Sequence, residues 1–314
     1  MRYRRLGHSG LAVSVVGIGC NNFGRKLDAA QTQIVVDAAI DAGITLFDTA
    51  DVYGAPQGRS EELLGAALKA NGRRDDVVVA TKFGSPMGGT NGPDFDARGA
   101  RRYVVRAVEA SLRRLGTDHI DLYQMHQPDR RTPIGETLSA LDDLVRAGKV
   151  RYIGSSNFGG WQISDAAWTA DTEHLTAFVS AQNHYSLIER SAEAEVIPAC
   201  ERFGIGLLPY FPLANGLLTG KYERGSDLPE NSRLSNSRFA GYLTDARWDR
   251  KEKLEEYARE RSVSLLDVAI GGLAAMPAVT SVIAGATTEE QVRANVAAGS
   301  WTPSAADLEA LRAV

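Results

Sequence analysis

Residues 61–82, EELLGAALKANGRRDDVVVATK, contain a helix pattern followed by a strand pattern. Apolar side chains recur at helical spacing from Leu63 to Leu68, and an unbroken apolar run, residues 77–80, follows shortly before Lys82. A short apolar run set after an amphipathic helix is typical of a strand that is buried on both faces in a parallel sheet. We therefore interpret this stretch as one repeat of an α/β fold.

The same unit recurs along the whole chain. Eight short, mostly apolar runs alternate with helical patterns, at residues 13–18, 45–48, 77–82, 120–126, 150–154, 178–182, 205–210 and 281–284. Eight units favour a closed (β/α)8 TIM barrel over an open doubly wound sheet, although the pattern alone leaves the open sheet as an alternative. We predict a single domain over residues 1–314, with an N-terminal β-hairpin at residues 3–13 and long loops on the C-terminal face.

The composition argues against several classes of protein. Of the 314 residues, 44% are hydrophobic and 24% are charged, and the formal net charge is −4. A negative net charge disfavours binding to nucleic acid or to an anionic membrane, both of which require a basic surface. Cys20 and Cys200 lie far apart and lack metal-ligand spacing, so we predict neither a disulfide nor a metal site and expect a cytoplasmic protein. No apolar run is long enough to cross a bilayer.

Polar side chains lie where the predicted strands end. Asp48 ends the second run and Tyr53 follows it, Lys82 ends the third run, and His126 ends the fourth. Taken alone, each has an ordinary explanation, such as a turn-capping Asp, a solvated Lys or a His buried in the core. Because the active sites of (β/α)8 barrels lie at the carboxyl ends of the strands, the four residues together predict a catalytic site.

These four residue types suit one kind of chemistry. A tyrosine has an ordinary pKa of about 10, and a neighbouring cation such as Lys82 lowers that pKa by stabilising the phenolate. Asp48 would keep Lys82 charged and oriented, and His126 would hydrogen-bond a carbonyl oxygen. We therefore predict that Tyr53 is a general acid that protonates an oxyanion.

Several motifs resemble those of the aldo-keto reductase superfamily and follow its order. They are GITLFDTADVYG at residues 43–54, SEELLG at 60–65, DLYQMH at 121–126, GKVRYIGSSNF at 148–158 and QNHYSL at 182–187. The resemblance runs from Arg4 to about Asn295 and points to bacterial long-loop members, which are also similar to potassium-channel β-subunits. It implies NADPH-dependent reduction of aldehydes or ketones to alcohols, with the four strand-end residues as the catalytic set.

The resemblance also implies a nicotinamide dinucleotide that is bound without a Rossmann domain. Ser156, Asn157 and Gln182 would hold the carboxamide, Tyr210 would stack on the nicotinamide, and Asn295 would meet the adenine. The full set of cofactor-binding residues that it implies is Gly19, Cys20, Asn21, Asp48, Ser156, Asn157, Gln182, Tyr210, Phe211, Pro212, Leu213, Ala214, Lys221, Arg233, Gly285, Thr287, Gln291 and Asn295.

The phosphates of the cofactor would meet a separate group of residues. The resemblance places residues 211–214, Lys221 and Arg233 near phosphates, and Thr287 with Gln291 near the 2′-phosphate of NADPH, at the start of a helix. Many family members have Lys or Arg in place of Gly285 and Gln291, and many have Glu in place of Ala294. We therefore predict NADPH as the cofactor and leave the use of NADH open.

The sequence defines the substrate less closely. Phe23, Phe83 and Phe158 lie near strand ends and, if they face the cavity, favour an apolar or aromatic aldehyde or ketone. The chain has no HxH motif for a metal-dependent hydrolase and no carboxylate pair on opposing strand ends for a glycosidase. The likeness to channel β-subunits leaves one alternative, a nicotinamide-binding regulatory subunit with weak turnover. The oligomeric state is left open.

Overall fold

The computed structural model describes residues 1–230, 232–239 and 241–314, and describes residue 238 by its main chain only. Its strands are β1 (Tyr3–Arg5), β2 (Ala12–Ser14), β3 (Val16–Gly19), β4 (Leu46–Asp48), β5 (Val78–Phe83), β6 (Ile120–Met125), β7 (Val150–Ser156), β8 (Ser180–Gln182), β9 (Gly206–Leu207) and β10 (Val282–Ala284). Within the described residues, eight parallel strands form one sheet in the order β10-β3-β4-β5-β6-β7-β8-β9, and β1 pairs with β2 in an antiparallel hairpin.

Main-chain hydrogen bonds join the two ends of this sheet. The N–H of Leu207 in β9 donates to the oxygen of Ala278 (2.8 Å), and the N–H of Thr280 donates to the oxygen of Leu207 (2.9 Å). The N–H of Ile283 in β10 donates to the oxygen of Pro209 (3.1 Å). These bonds close the strands into a ring, so the structure confirms the predicted (β/α)8 barrel with its amino-terminal hairpin.

Helices cover the outside of the barrel. They are α1 (Ala29–Asp41), α2 (Arg59–Asn71), α3 (Arg101–Leu115), α4 (Ile134–Arg146), α5 (Gly160–Thr172), α6 (Val196–Phe203), α7 (Asp245–Glu260), α8 (Leu265–Asp267), α9 (Glu289–Ala298) and α10 (Ala305–Ala313). Consecutive helices pack against each other from α1 to α6, and α9 contacts α1. The large apolar core therefore lies between the sheet and this outer layer.

The hairpin packs against the inside of the barrel. Leu6 and Val13 form a buried cluster with Leu46, Val78 and Leu122, which come from β4, β5 and β6. Leu46 and Val78 are the first residues of their strands. The hairpin therefore covers the amino ends of the barrel strands, as a floor.

The first apolar run differs in detail from the prediction. The sequence predicts one strand over residues 13–18, whereas the structure has two short strands there. Residues 12–14 form β2 and pair with β1 in the hairpin, whereas residues 16–19 form β3 and pair with β10 and β4. The run is divided because its two halves meet different partners, which local sequence does not encode.

The two-residue period of the strands decides which side chains point into the barrel. In β5, Val78 and Ala80 belong to the interior cluster, so Lys82 also points inward. The same alternation directs Asp48 inward from β4 and Gln124 inward from β6. The barrel interior is therefore apolar at the amino ends of its strands and polar at their carboxyl ends.

A glycine in α2 allows this helix to approach the end of α3 closely. A β-carbon at Gly65 would overlap the main-chain carbonyl of Leu115, lying 2.6 Å from its carbon. We expect Gly65→Ala to lower the free energy of unfolding by about 1–3 kcal/mol, because main chain cannot yield as a side chain can. The measurement is equilibrium unfolding in urea.

Gly135 in α4 provides a matched control. A β-carbon there would meet the side-chain carboxylate of Glu173 at 3.1 Å, and this side chain can move. Gly135→Ala should therefore change the free energy of unfolding by no more than about 1 kcal/mol, in the stabilising direction that helix propensity favours. Equal destabilisation by the two substitutions would contradict the close approach of α2 to α3.

Candidate active site

A cleft of about 660 Å³ opens at the carboxyl ends of the barrel strands. Its wall is formed by the ends of β3, β4, β7, β8 and β10 and by the segments that follow β6 and β9. The predicted site residues that the structure brings together on this wall are Gly19, Asn21, Asp48, Tyr53, His126, Ser156, Asn157, Gln182, Tyr210, Phe211, Pro212, Leu213, Lys221, Arg233, Gly285, Thr287, Gln291 and Asn295.

A buried ion pair lies beneath the cleft. Lys82 Nζ donates to Asp48 Oδ2 at 2.6 Å and to the main-chain oxygen of Thr49 at 2.8 Å. The two side chains are 0% and 4% exposed. The other carboxylate oxygen of Asp48 accepts hydrogen bonds from Gln182 Nε2 (2.9 Å) and Gln124 Nε2 (3.2 Å). The hydrogen bonds that Lys82 donates and Asp48 accepts thus offset the free-energy cost of removing the two charges from water.

Tyr53 lies beside both this ion pair and His126. Lys82 Nζ is 5.0 Å from the centre of the Tyr53 ring, and the rings of Tyr53 and His126 meet edge to face with centres 5.7 Å apart. Gly54 has φ +98° and turns the chain directly after Tyr53, and a β-carbon there would lie 2.8 Å from the nitrogen of Ser60. Glycine at this turn therefore lets Tyr53 face the cleft while α2 begins close behind it.

The charges of the site follow from its burial. Burial raises the pKa of Tyr53 above its ordinary value, and the ammonium of Lys82 opposes this rise without cancelling it. The lowering that the sequence predicts from Lys82 is thus present, but burial outweighs it. Burial alone would lower the pKa of Lys82, yet the carboxylate of Asp48 and the phenol of Tyr53 reverse this and the pKa is raised. At neutral pH a protonated phenol therefore stands beside an ammonium group.

His126 is neutral at physiological pH. Burial, and then the charge of Lys82, lower its pKa from 6.5 to about 3. The ring nitrogen Nδ1 lies 3.1 Å from the hydroxyl of Ser85, and the main-chain oxygen of His126 accepts from Asn157 Nδ2 at 2.9 Å. His126 can therefore donate or accept a hydrogen bond in the cleft but does not supply a positive charge there.

A connected group of side chains extends the cleft from His126 towards β9. Asn157 has φ +60° and donates from Nδ2 to Ser156 Oγ at 3.1 Å, while the hydroxyl of Tyr210 donates to Asn157 Oδ1 at 2.7 Å. The ring of Tyr210 stacks on His184, with centres 5.4 Å apart and an angle of 11° between the planes. One face of Tyr210 is thus covered by an imidazole, and Tyr210 also lines the cleft.

Cationic side chains line another part of the cleft. Lys26 comes from the segment after β3, and Lys221 and Arg233 come from the long segment after β9. The guanidinium of Arg233 lies 4.9 Å from the centre of the Phe211 ring, which is also on the cleft wall. These cations give this part of the cleft the charge that phosphate groups require.

The start of α9 offers amide donors to the cleft. The main-chain nitrogen and the hydroxyl of Thr287 donate to Gln291 Oε1 at 2.8 and 3.1 Å, which leaves Gln291 Nε2 without a protein partner among the described residues. Asn295 is buried, and its Nδ2 likewise has no hydrogen-bond partner in the part of the chain that the structure describes. A buried amide donor without a partner fits a site that a polar ligand completes.

The three predicted substrate-pocket residues lie in the core and not on the cleft. Phe23 and Phe83 are fully buried, and Phe158 is nearly so. Phe83 stacks on Tyr123 with ring centres 4.7 Å apart. In β5 the alternation that points Lys82 into the barrel points Phe83 outwards towards the helices. Proximity to a strand end in sequence therefore did not decide which face these rings occupy.

Three other predicted residues do not line the cleft. Cys20 and Ala214 are fully buried, although their neighbours Asn21 and Leu213 are on the wall. Lys82 lies beneath the wall and reaches it through Asp48 and Tyr53.

The structure also adds residues that the sequence analysis did not single out. Gln124 donates to Asp48, Ser85 contacts His126, and Lys26 lines the cleft. An amide two residues before His126, on the strand face that it shares with Ile120 and Leu122, was a usable signal for Gln124. Ser85 and Lys26 lie in irregular segments, where the sequence carries no period that would indicate direction.

A closed barrel with buried titratable groups around a cleft at the carboxyl ends of its strands has the architecture of a barrel enzyme. The sequence profile of the Aldo/keto reductase family matches residues 15–314. The chain therefore belongs to the aldo/keto reductase family. It is accordingly an oxidoreductase, of a family that generally uses nicotinamide cofactors.

Relatives match over nearly the whole chain. The protein described as "uncharacterized oxidoreductase YrpG" of Bacillus subtilis (strain 168) is 40% identical over 302 residues, which cover 95% of this chain and 91% of the relative. A "probable voltage-gated potassium channel subunit beta" of Oryza sativa subsp. japonica is 37% identical, with coverage of 95% and 91%. An "L-glyceraldehyde 3-phosphate reductase" of Escherichia coli O157:H7 is 33% identical, with coverage of 95% and 87%.

Three further features of the described residues concern the predictions about membrane helices, metal sites and disulfides. In residues 1–230, 232–239 and 241–314 no helix is long and apolar enough to cross a membrane. The same residues contain no group of three or more His, Cys, Asp or Glu side chains that could hold a metal ion. Cys20 and Cys200 are both buried and are not joined in a disulfide.

The ion pair makes Asp48 a stability residue as well as a site residue. We expect Asp48→Asn to lower the free energy of unfolding by about 3–5 kcal/mol at neutral pH, because it leaves the ammonium of Lys82 buried without a counter-charge. The double variant Asp48→Asn/Lys82→Met should recover most of this loss, since it removes the buried charge as well. Equilibrium unfolding in urea measures both changes.

An exposed pair gives the control. Glu289 and Arg293 form a salt bridge of 2.6 Å on the surface of α9. Glu289→Gln should cost less than about 1 kcal/mol, because solvent screens an exposed pair. A loss for Asp48→Asn no greater than this would show that the ion pair beneath the cleft does not constrain the fold.

Proposed function

We propose that this protein reduces aldehydes or ketones to alcohols with NADPH as the reductant. One observation carries the proposal. The buried ammonium of Lys82 is bonded to Asp48 and lies against the ring of Tyr53, under a cleft that His126 also lines. This arrangement provides an acid, its charged neighbour and a hydrogen-bonding group around one point. Membership of the aldo/keto reductase family supports it.

Tyr53 is the proposed general acid. Its pKa is raised, so the phenol carries a proton at neutral pH that it can give to a carbonyl oxygen. The adjacent ammonium of Lys82 stabilises the phenolate that remains after the proton has left, and Asp48 keeps that ammonium charged and in place. Proton transfer to the substrate therefore does not leave an isolated negative charge in a buried site.

His126 is proposed to orient the substrate. Its imidazole is neutral and its ring centre lies 5.7 Å from that of Tyr53, and both side chains line the cleft, so we propose that one carbonyl oxygen contacts both groups. A neutral donor at this position polarises the carbonyl without competing with Tyr53 for the proton-transfer role.

The cleft fits a nicotinamide dinucleotide. Buried Asn295 has an unused amide donor, and Lys26, Lys221 and Arg233 supply positive charge for phosphates. We propose that Ser156, Asn157, Gln182 and Tyr210 hold the nicotinamide end, and that Thr287 and Gln291 hold the 2′-phosphate. The remaining predicted cofactor residues on the wall are Gly19, Asn21, Asp48, Phe211, Pro212, Leu213 and Gly285. When bound, the reduced cofactor supplies the hydride.

Further properties belong to the same proposal. Residues 1–314 act as one domain, because the barrel takes strands and covering helices from the whole chain. Two buried, unbridged cysteines support a reducing compartment such as the cytoplasm. The reductase name of the Escherichia coli O157:H7 relative supports a small-molecule carbonyl substrate.

The function is tested by cofactor titration and turnover in one sample. NADPH and NADH are titrated by quenching of tryptophan fluorescence, and oxidation of NADPH is then followed with 4-nitrobenzaldehyde as the probe. Binding of NADPH with aldehyde-dependent oxidation is the expected result. Binding without turnover would favour a regulatory subunit, the class that the name of the Oryza sativa relative describes. If neither dinucleotide binds, the proposal fails.

Tyr53→Phe tests whether the hydroxyl of Tyr53 is the general acid. We expect kcat to fall by about 10²–10⁴-fold while the Kd for NADPH stays nearly constant, because only the donated proton is lost. Tyr257→Phe is the matched control, since that hydroxyl bonds to Asp307 and the residue does not line the cleft. Unchanged turnover in Tyr53→Phe would exclude Tyr53 as the acid.

Gln291→Ala tests the choice of cofactor. We expect the Kd for NADPH to rise by about tenfold or more and the Kd for NADH to change little, because the lost donor faces the charged 2′-phosphate that only NADPH has. Gln31→Ala is the control, since Gln31 makes the same type of contact to the main chain at the start of α1 but lies outside the cleft. Equal weakening of both cofactors would remove Gln291 from the 2′-phosphate site.

A further inference from the structure

Ser85 lies in the loop between β5 and α3, and its side chain contacts the active site. Gly84 has φ +100°, a left-handed conformation that glycine adopts readily, and it turns the chain directly after β5. The hydroxyl of Ser85 then lies 3.1 Å from Nδ1 of His126. Ser85 is only 7% exposed, so its hydroxyl has little access to water.

The loop is anchored at a second point, on the side of Asp51. Asn91 Nδ2 donates to Asp51 Oδ2 at 2.9 Å, and Asn91 Oδ1 accepts from Arg114 Nη1 at 3.1 Å. Arg114 also donates from Nε to the buried carboxylate of Glu61 at 2.6 Å. These contacts connect the loop to α2 and α3. The loop therefore holds Ser85 in a defined position.

The proton of the Ser85 hydroxyl has one acceptor in the described part of the chain, and that acceptor is Nδ1 of His126. If Nδ1 carried the ring proton, the oxygen of Ser85 would accept a hydrogen bond from Nδ1–H. The proton of the Ser85 hydroxyl would then be buried without a partner. An unmade hydrogen bond on a buried polar group costs more than a typical bond contributes. The arrangement of lower free energy is therefore the one in which Ser85 donates to a bare Nδ1.

The direction of this hydrogen bond determines that Nε2, the other ring nitrogen of His126, carries the ring proton. The imidazole is neutral, since the pKa of His126 is about 3, and a neutral imidazole carries one ring proton. With Nδ1 bare, that proton is on Nε2. Among the described residues Nε2 has no hydrogen-bond partner, and His126 lines the cleft. An N–H donor is therefore available to a ligand in the cleft.

We propose that Ser85 is a positioning residue that sets the tautomer of His126 so that Nε2–H can donate to the carbonyl oxygen of the substrate. The inference rests on the proposed function for its role in catalysis, while the tautomer itself is a property of the free protein. Ser85 does not touch the substrate and acts through the imidazole.

The first test measures the tautomer directly. Two-dimensional ¹H–¹⁵N NMR of the ¹⁵N-labelled protein distinguishes protonated from bare ring nitrogens, and comparison with His126→Gln assigns the signals of His126 among the five histidines of the chain. We expect a protonated Nε2 and a bare Nδ1 at neutral pH. A protonated Nδ1 in the wild-type protein would overturn the proposal, and this measurement needs neither cofactor nor turnover.

The second test removes and restores the hydroxyl. Ser85→Ala should increase the fraction of the Nδ1–H tautomer and lower kcat with 4-nitrobenzaldehyde by about tenfold, the equivalent of one ordinary hydrogen bond, while the Kd for NADPH stays constant. Ser85→Thr keeps the hydroxyl and should retain both the wild-type tautomer and most of kcat. Unchanged kcat and an unchanged tautomer in Ser85→Ala would overturn the proposal.

A control separates this effect from a general loss of a serine hydroxyl. Ser300 is exposed and its hydroxyl donates to the main-chain oxygen of Val296 at 3.2 Å. Ser300→Ala should leave both the tautomer and kcat unchanged. If the wild-type protein neither binds NADPH nor turns over, the proposed function fails, and the NMR experiment still decides whether Ser85 sets the tautomer.

Discussion

The buried bond between Lys82 and Asp48 joins β5 to β4 directly beneath the cleft. An ammonium group that is removed from water costs several kcal/mol unless good acceptors surround it. Here the acceptors are a carboxylate at the end of β4 and the main-chain oxygen of Thr49 just after it. The carboxylate is held in turn by amides from β6 and β8. Four strands must therefore keep their register for one charge to remain buried, which links the stability of the barrel to the geometry of the cleft.

The barrel interior is packed with apolar side chains at one end and holds the polar side chains of the site at the other end. Near the amino ends of the strands, interior positions hold apolar residues, and the hairpin covers them with Leu6 and Val13. Near the carboxyl ends, the same inward-facing series continues as Asp48, Lys82 and Gln124. Apolar burial supplies favourable free energy at one end, and this offsets the cost of removing the charged and amide groups at the other end from water.

The loops complete the cleft by different means. The segment after β9 contains residues with left-handed backbone at Phe211, Ala214 and Asn215, so this part of the wall turns sharply without relying on glycine alone. The segment after β5 is held by a buried polar group, in which Asn91 joins Asp51 to Arg114. Burial raises the pKa of Asp51 well above its ordinary value, and the nearby Glu61 adds to this rise. The loop after β5 is therefore held by contacts with residues that are distant in the sequence.

The amino-acid pattern was enough to predict an α/β barrel, most of its strands, and a group made of Tyr53 and its three neighbours Asp48, Lys82 and His126. The prediction was possible because the alternation of strand and helix patterns can be read locally, and because the carboxyl ends of parallel strands meet at one rim. Tertiary structure alone decided that Phe23, Phe83 and Phe158 face the core, that burial outweighs Lys82 in setting the pKa of Tyr53, and that Ser85 reaches His126. These outcomes depend on which surfaces pack together and on how far water is excluded, and neither is written in the spacing of residues along the chain.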